Sequence, residues 1–504
     1  MSRQQRLTLV ATILGSTVVF LDSTVVNVAL PAIADGLDAG LAGQQWVVEA
    51  YMLTLVALLL VGGSLGDQFG RRRMFVVGLV AFGVTSALCA VAPTVEVLIG
   101  ARALQGIAGA LLVPGSLAIV AASFEGAARG KAVGTWTAWT GIATVFGPAG
   151  GGALIEVTSW RAIFWVNLPL IAVTVALTLH SVRESRDPDA FRGIDWTGIG
   201  FSAAGLAGPV FALIEQPARG WGDPLVWIPL VVGIACFALF VAHEARARHP
   251  MLDLGLFRIR NFAVANLTTL TAYAGLIGGL FFVGLFLQQV AGYSALEAGL
   301  ATTPISLILF FLSPRWGRLA SGTGPRLPMT LGPIVGGVGL LMLLMVGPDG
   351  EYATEVLPGI LVFGLGLSAT VAPLTATVLD SVEERHVGIA SGVNNGVSRV
   401  AGLLAIAVLG AIVSARFTAI AGDVAGGPLT ANAAAASTSA FHLGIAIAGL
   451  LMIAGGIVSA LGIENPRRKV EALPSRGSAQ AGECGHGADA DCAEPERAPA
   501  VEPA

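Results

Sequence analysis

Charge is what this sequence has least of. Asp, Glu, Lys and Arg make up 12% of its 504 residues, about half the ~25% share of soluble domains. Such a chain cannot cover a water-facing surface of its own size. That excludes a soluble enzyme, a secreted disulfide scaffold and a disordered protein. Lysine is nearly missing: Lys131 and Lys469 are the two, so 26 of the 28 cations are arginine. Cysteine is also thin. Cys89 and Cys236 lie in apolar runs, and Cys484 and Cys492 flank His486 in a polar tail. Two Cys and one His fall short of a four-ligand zinc site, so no metal is expected. The six histidines (His180, His243, His249, His386, His442, His486) are scattered, and no long loop gathers acids, His or Cys. This weighs against a membrane enzyme. No cleavable leader is expected, because the first apolar run is long and lacks a small-residue cleavage site.

Apolar sequence is what the chain has most of: 55% of its residues are hydrophobic and its mean hydropathy is +0.78. A helix needs about 20 apolar residues to cross ~30 Å of hydrocarbon. Fourteen such runs stand between polar punctuation: Leu7–Leu30, Trp46–Leu65, Met74–Ala92, Val97–Val120, Ala132–Ile155, Ala162–Leu179, Thr197–Ile214, Leu225–Val241, Val264–Leu287, Ala298–Ser313, Pro328–Val346, Leu357–Leu379, Ile389–Val413 and His442–Leu461. The runs are continuous rather than alternating, which predicts helices and not a barrel. The loops carry an orientation signal. With the N-terminus inside, inner segments hold 23 of the 28 Arg and Lys. Outer loops hold three, Arg161, Arg219 and Arg416, while Arg102 and Arg399 fall within spans. This asymmetry predicts a multi-pass plasma-membrane protein with both termini cytoplasmic.

The chain repeats itself. Gly63, Leu65, Gly70 and Arg72 recur after a shift of 254 as Gly317, Leu319, Gly324 and Arg326. Gly130-x-Ala132-x-Gly134 likewise aligns with Gly388-x-Ala390-x-Gly392. Spans 1–6 and 9–14 thus read as parallel repeats with spans 7 and 8 inserted. Parallel repeats about an axis along the membrane normal are a transporter architecture. The expected parts are a first repeat over residues 1–182, a linker with two inserted helices over 183–256, a second repeat over 257–464 and a disordered cytoplasmic tail over 465–504.

Four segments carry chemistry. Leu21-Asp22-Ser-Thr-Val-Val-Asn27-Val-Ala-Leu-Pro31 puts a carboxylate inside a span, where a charge costs about 2.5–3.5 kcal/mol on insertion scales and so needs a reason. The loop Gly63 to Arg73 combines Gly63, Asp67, Gly70, Arg71 and Arg72. Gly63 allows close helix approach. Asp67 suits the positive N-terminus of span 13, near Gly388. Arg102-Ala-Leu-Gln105-Gly106-Ile-Ala-Gly109 buries a guanidinium, which stays charged and needs an anion. Gly141 to Gly147-Pro148-Ala-Gly150-Gly151-Gly152 is a helix weakened by Gly and kinked by Pro, able to pack closely and bend. Trp160-Arg161-x-x-Phe164-x-x-Asn167-x-Pro169 follows it.

Together these segments resemble the major facilitator superfamily, and within it the fourteen-span drug:proton antiporter family, over about Leu7 to Leu461. The resemblance implies an all-α polytopic membrane protein, with two six-helix repeats plus two inserted helices. It implies that Asp22 takes part in proton coupling, that the Gly63–Arg73 loop latches the halves on the cytoplasmic side, and that Gly147-Pro148 marks an antiporter. Ser321 replaces the acid in the second copy of the latch, which is then weaker.

Depth follows from 1.5 Å per helical residue. Asp22 lies about 13 Å and Arg102 about 12 Å from the outer ends of their helices, and Glu49 about 5–8 Å below the outer surface. Asp22, Glu49 and Arg102 therefore form the expected proton-coupling cluster. The expected substrate cavity uses Asn27, Gln105, Asn394, Asn395, Ser398 and Arg399, with Asn394 and Ser398 on one face at i, i+4. Some members of the resembling family carry an acid in span 13. None stands here, which favours anionic, zwitterionic or neutral amphiphiles over polyvalent cations. Phe281, Phe282, Phe286 and Tyr273 are further lining candidates, with packing as their other reading. Gly126-Ala-Ala-Arg-Gly130-Lys131-Ala132 mimics a phosphate loop, but it is one residue short and Ala132 replaces the Ser or Thr that would hold magnesium. No nucleotide, nucleic acid or other cofactor is expected. The expected partners are a small-molecule substrate, protons and the bilayer, around a monomer. The reading is a proton-coupled exporter of amphipathic small molecules; the alternative is a symporter importing a nutrient or organic anion.

Overall fold

Backbone in hydrocarbon must pair its own N–H and C=O groups, and an α-helix does so within one segment. The computed structural model describes residues 1–124, 126–186, 195–247, 254–383, 387–421 and 431–465, and among these there is no strand. Its helices are α1 (Arg3–Leu37), α2 (Leu41–Phe69), α3 (Arg71–Ala90), α4 (Val95–Ser123), α5 (Gly126–Val157), α6 (Ala162–Trp165), α7 (Asn167–Ser181), α8 (Trp196–Arg219), α9 (Pro224–Glu244), α10 (Arg260–Gln289), α11 (Ala295–Thr323), α12 (Arg326–Met342), α13 (Leu357–Asp380), α14 (Val387–Ala421) and α15 (Ala431–Gly462). Polar residues at the ends of the apolar runs set several starts. Ser2 with Gln5, and Ser294 with Glu297, form capping boxes on α1 and α11. Asp195 and Asp223 cap α8 and α9. Such caps satisfy N–H groups left over at a helix start.

Each of the fourteen apolar runs coincides with one of these helices to within a few residues: α6 and α7 share one run, Met74–Ala92 ends two residues past α3, and Pro328–Val346 continues past α12 through a 3-10 turn at Leu343–Met345. Twelve of the described helices are long and apolar enough to cross a membrane, or thirteen if the two halves of α2, bent by 51° near residue 60, form one span. The fourteenth run lies in α5, several of whose side chains lie outside the description.

The packing pairs come in parallel sets. α1 packs on α5 and α7, α2 on α4, and α3 on α4 and α7. In the second half α10 packs on α14 and α15, α11 on α13, and α12 on α13 and α15. α9 packs on α8 and turns Leu225, Trp227, Ile228, Val231, Val232 and Phe237 outward. An apolar exterior of this kind is what a lipid-facing helix presents. Residues Met1–Asn465 form one unit, and the expected tail after Asn465 lies outside the described residues.

The joints between α2 and α3 and between α11 and α12 are built alike. Gly70 (φ 108°) and Gly324 (φ 93°) hold left-handed backbone, which L side chains rarely adopt. Past the first, the Glu184 carboxylate accepts the N–H groups of Arg72 (3.1 Å) and Arg73 (3.2 Å). Past the second, Asn465 Oδ1 accepts the N–H of Arg326 at 3.0 Å. Arg72 Nη2 donates to Leu179 O at 2.8 Å, and Arg326 Nε to Ala460 O at 2.9 Å.

The two halves meet at the end of the bundle away from the N-terminus. There α5 lies against α11, and α2 against α14. Gln45 Nε2 donates to Ile406 O at 3.0 Å, and Gln289 Nε2 to Gln44 Oε1 at 3.1 Å. The inserted α8 wedges into the same seam. Its Leu206, Val210 and Ile214 pack with Leu403 and Ala407 of α14 and with Trp46 and Leu53 of α2, while Trp46 Nε1 donates to Glu215 Oε1 at 3.1 Å.

Candidate substrate and proton site

Asp22 and Arg102 are brought together as their depths predict. The helix α1 contributes Asp22, and α4 contributes Arg102 and, one turn on, Gln105. Arg102 Nη1 donates to Asp22 Oδ2 at 2.5 Å and to Gln105 Oε1 at 2.7 Å, and its Nε to Val47 O at 3.1 Å. Gln105 Nε2 and Asn167 Nδ2 donate to the other carboxylate oxygen at 3.0 Å and 3.2 Å. The Tyr51 ring lies 4.2 Å from the guanidinium carbon, a cation–π arrangement. Asn167 Nδ2 reaches Ser86 Oγ at 3.0 Å, and Ser86 donates to Phe164 O at 2.9 Å. Asp22 is 2% and Arg102 1% exposed. A buried pair holds its charges only when the remaining donors and acceptors are also met, and here each charged group has several partners. All of the partners sit on α1–α4, α6 and α7, within the first half. Gln105 therefore belongs to this sealed network and not to a cavity lining.

Glu49 differs sharply. It is 0% exposed, and neither carboxylate oxygen has a hydrogen-bond partner among the described residues. Three residues after Trp46 and four before Leu53, Glu49 is on the helical face of α2 whose Trp46 and Leu53 pack on α8 and α14. Gln45, one turn before it on α2, is the residue that donates to Ile406 O of α14.

The glycine-rich segment of α5 packs in two directions. Gly147 and Gly151 admit Thr24 and Val25 of α1. Gly152 faces the backbone of Ala295 and Leu296 on α11, and Gly299 of α11 faces the backbone of Pro148. A Cβ at Gly152 would land on the Ala295 carbonyl, whereas one at Gly150 would meet nothing within 4 Å. Overpacking of this kind costs about 1–3 kcal/mol. Gly152→Val should therefore keep this end of the bundle from closing, while Gly150→Val is tolerated. Accessibility of a cysteine at position 295 to a hydrophilic thiol reagent checks this; equal labelling in both variants would rule it out. Gly141 lies in α5, with surroundings outside the described residues.

Other expected residues are placed differently. Gly63 meets only Pro114, at ordinary contact distance. The close approach of α2 to α4 is made instead by Gly62 on Ala110 and by Gly106 on Tyr51 and Thr54. Asp67 Oδ1 pairs with Arg71 Nε at 2.8 Å, on partly exposed side chains. Its expected partner region near Gly388 lies outside the described side chains. Asn394 is partly buried. Its Nδ2 donates into α10, to Thr269 Oγ1 at 2.7 Å and Asn266 Oδ1 at 3.3 Å. Asn395 and Ser398 bond to their own helix, at Ser391 O and Asn395 O. Asn27 Nδ2 contacts Ser23 O at 3.5 Å, leaving its buried Oδ1 without a partner. Phe281, Phe282 and Phe286 are core, Phe286 stacking on Phe441 at 4.2 Å. Tyr273 is only partly buried and packs at the edge of a separate cluster. Arg399 of α14 faces Phe20 of α1, its guanidinium carbon 5.9 Å from the ring centroid.

Three participants were not picked out as site residues: Asn167, Ser86 and Glu184. The signal for Asn167 was present, as an amide inside an apolar run of a family-like segment. Nothing local marks Ser86 or Glu184.

The family profile of the Major Facilitator Superfamily matches residues 12–406. Among curated proteins, the chain is 36% identical over 420 residues to "Multidrug resistance protein Stp" of Mycobacterium tuberculosis (strain CDC 1551 / Oshkosh), covering 83% of this chain and 78% of that one. It is 33% identical over 409 residues to "Tetracenomycin C resistance and export protein" of Streptomyces glaucescens, covering 81% and 76%. It is 35% identical over 399 residues to "Multidrug efflux pump LfrA" of Mycolicibacterium smegmatis, covering 79% and 78%. Among solved structures, a bacterial homologue of the human lysosomal transporter Spinster, in an inward-facing and unoccupied conformation, superposes with a TM-score of 0.65 at 16% identity. That match covers 92% of this chain and 97% of the other, and it speaks to the fold alone.

Proposed function

Because the chain belongs to the Major Facilitator Superfamily, we propose that it is a proton-coupled antiporter exporting amphipathic small molecules, drugs or antibiotics, across the cytoplasmic membrane. The observation that carries this reading is the pair of buried acids in settings of opposite kind. Asp22 is ion-paired inside the first half, and Glu49, on the α2 face toward the seam, has no hydrogen-bond partner among the described residues. The curated relatives named for drug resistance and export support the direction of transport. The α5 glycines that meet α11 support an antiporter that alternates by closing one end. The import alternative has no such support.

The architecture proposed is fourteen spans: the twelve that pass alone, the bent α2, and α5. The parallel packing sets and the matched Gly70 and Gly324 joints support two six-helix repeats, with α8 and α9 inserted. The arginine asymmetry supports cytoplasmic termini. With that orientation, the seam closed by α5–α11 and α2–α14 is the outer one, and the conformer faces the cytoplasm. The proton-coupling residues are Asp22, Glu49 and Arg102. The protein works as a monomer without a cofactor.

Reconstituted protein under an imposed pH gradient is the test. Dyes and antibiotics should move against their gradient and stop when a protonophore collapses it; movement indifferent to the proton gradient would exclude the coupling.

The latch reading makes a smaller claim. Asp67→Asn removes a partly exposed i,i+4 pair worth about 0.3–0.5 kcal/mol, so stability should barely change. Transport should fall while substrate affinity holds, and cross-linking between the halves should shift toward an open cytoplasmic end. Collapsed binding with unmoved gate populations would contradict it.

A further inference from the structure

Two guanidiniums lie inside the spans, and their surroundings differ. Arg102 has a carboxylate, an amide, a backbone carbonyl and an aromatic ring around it. Arg399, part-buried on α14, has no ion pair or hydrogen bond among the described residues; its one ring contact is Phe20, across the seam on α1. An arginine keeps its charge in proteins, and a charge at this depth is costly unless an anion meets it. No acid among the described residues does so in this conformer. Asp22 is committed to Arg102, and Glu49 is buried with no hydrogen-bond partner among the described residues. The seam between the halves is therefore left one positive charge out of balance, beside an aromatic face. Asn395, exposed and one turn away, donates its amide N–H to Ser391 O.

We propose that Arg399 is the anion-recognising residue of the export site, and that the preferred substrates are aromatic amphiphiles bearing an anionic oxygen group. The guanidinium takes the anion through its planar fork. Phe20 takes the ring on the facing helix. Binding thus draws α14 and α1 together, one contact from each half. The inference rests on the export reading for its direction, but its own content is equilibrium selectivity, which is measurable without transport.

The test uses purified full-length protein in detergent and three fluorescent probes sharing one aromatic core: a sulfonate, its neutral sulfonamide and a quaternary ammonium analogue. Wild type should bind the sulfonate at least tenfold more tightly than the sulfonamide, with the ammonium weakest. Arg399→Gln should weaken the sulfonate at least tenfold and leave the sulfonamide within twofold. Arg399→Lys should fall between, since an ammonium keeps the charge without the fork. Phe20→Leu should weaken the sulfonate and the sulfonamide alike. If wild type shows no preference for the sulfonate, the proposal is overturned. It is also overturned if Arg399→Gln weakens both probes equally in protein whose melting is unchanged, since Arg399 would then serve the gate or the fold. Should selective binding persist while no probe moves under a pH gradient, the export reading fails and this assignment stands.

Discussion

Asp22→Asn is expected to abolish pH-gradient-driven efflux. Two effects combine in that result, and they are separable. The first is structural. Arg102 would keep its charge in a site 1% exposed, with its carboxylate partner gone. Breaking one side of a buried pair costs about 3–5 kcal/mol. Poorer insertion and a lower melting temperature should follow. The second is chemical: an amide has no proton to exchange. Adding Arg102→Gln to Asp22→Asn removes the orphaned cation, leaves amides able to bond to one another and to Asn167, and should restore insertion and melting. Gradient-driven transport should stay absent in the double variant. Transport by the double variant at wild-type rates would reduce the pair to a structural brace and shift coupling onto Glu49. Arg102→Lys should also impair function, because an ammonium's donors leave a single atom and lack the planar spread by which Nε meets Val47 O while Nη1 meets Asp22 and Gln105. The measurement is substrate movement in proteoliposomes, normalised to inserted protein.

Glu49→Gln should uncouple transport from the proton gradient while leaving the fold intact. Among the described residues Glu49 has no ion pair or hydrogen bond to lose. An ionised carboxylate there would be a buried charge without a partner, at several kcal/mol; the neutral acid avoids that cost. The acid lies where α2 meets α8 and α14, the contacts that part if this end opens. Opening admits water to the carboxyl, and closing excludes it. A rocking motion would leave the Asp22–Arg102 pair inside one half but would change the surroundings of Glu49 in every cycle. The variant should therefore melt within about 1 kcal/mol of wild type, as substitutions that break no partner do. Substrate binding and substrate–substrate exchange should survive. Gradient-driven accumulation should be lost. Accumulation at wild-type level by Glu49→Gln would remove it from the proton path.

The sequence alone determined the class of structure, because hydrocarbon leaves a long apolar run one option. The scarcity of charge, the fourteen runs and their polar ends placed the helices within a few residues. The 254-residue shift anticipated the matched joints at Gly70 and Gly324, because a left-handed turn accepts few residues other than glycine. Counting residues from the helix ends set Asp22 level with Arg102, since rise per residue converts sequence into depth. Depth is as far as that conversion goes. Which way a side chain faces around its helix depends on what packs there, and only the tertiary structure decided it. It turned Gln105 onto Asp22, Asn394 into α10 and the Phe281–Phe286 group into the core. It recruited Asn167 and Ser86 from 145 and 64 residues beyond Asp22. It buried Glu49 completely, which a count from the helix start does not reveal. And it gave Arg102 an anion while leaving Arg399 without one, a difference no local pattern around either arginine encodes, because partners come from other helices.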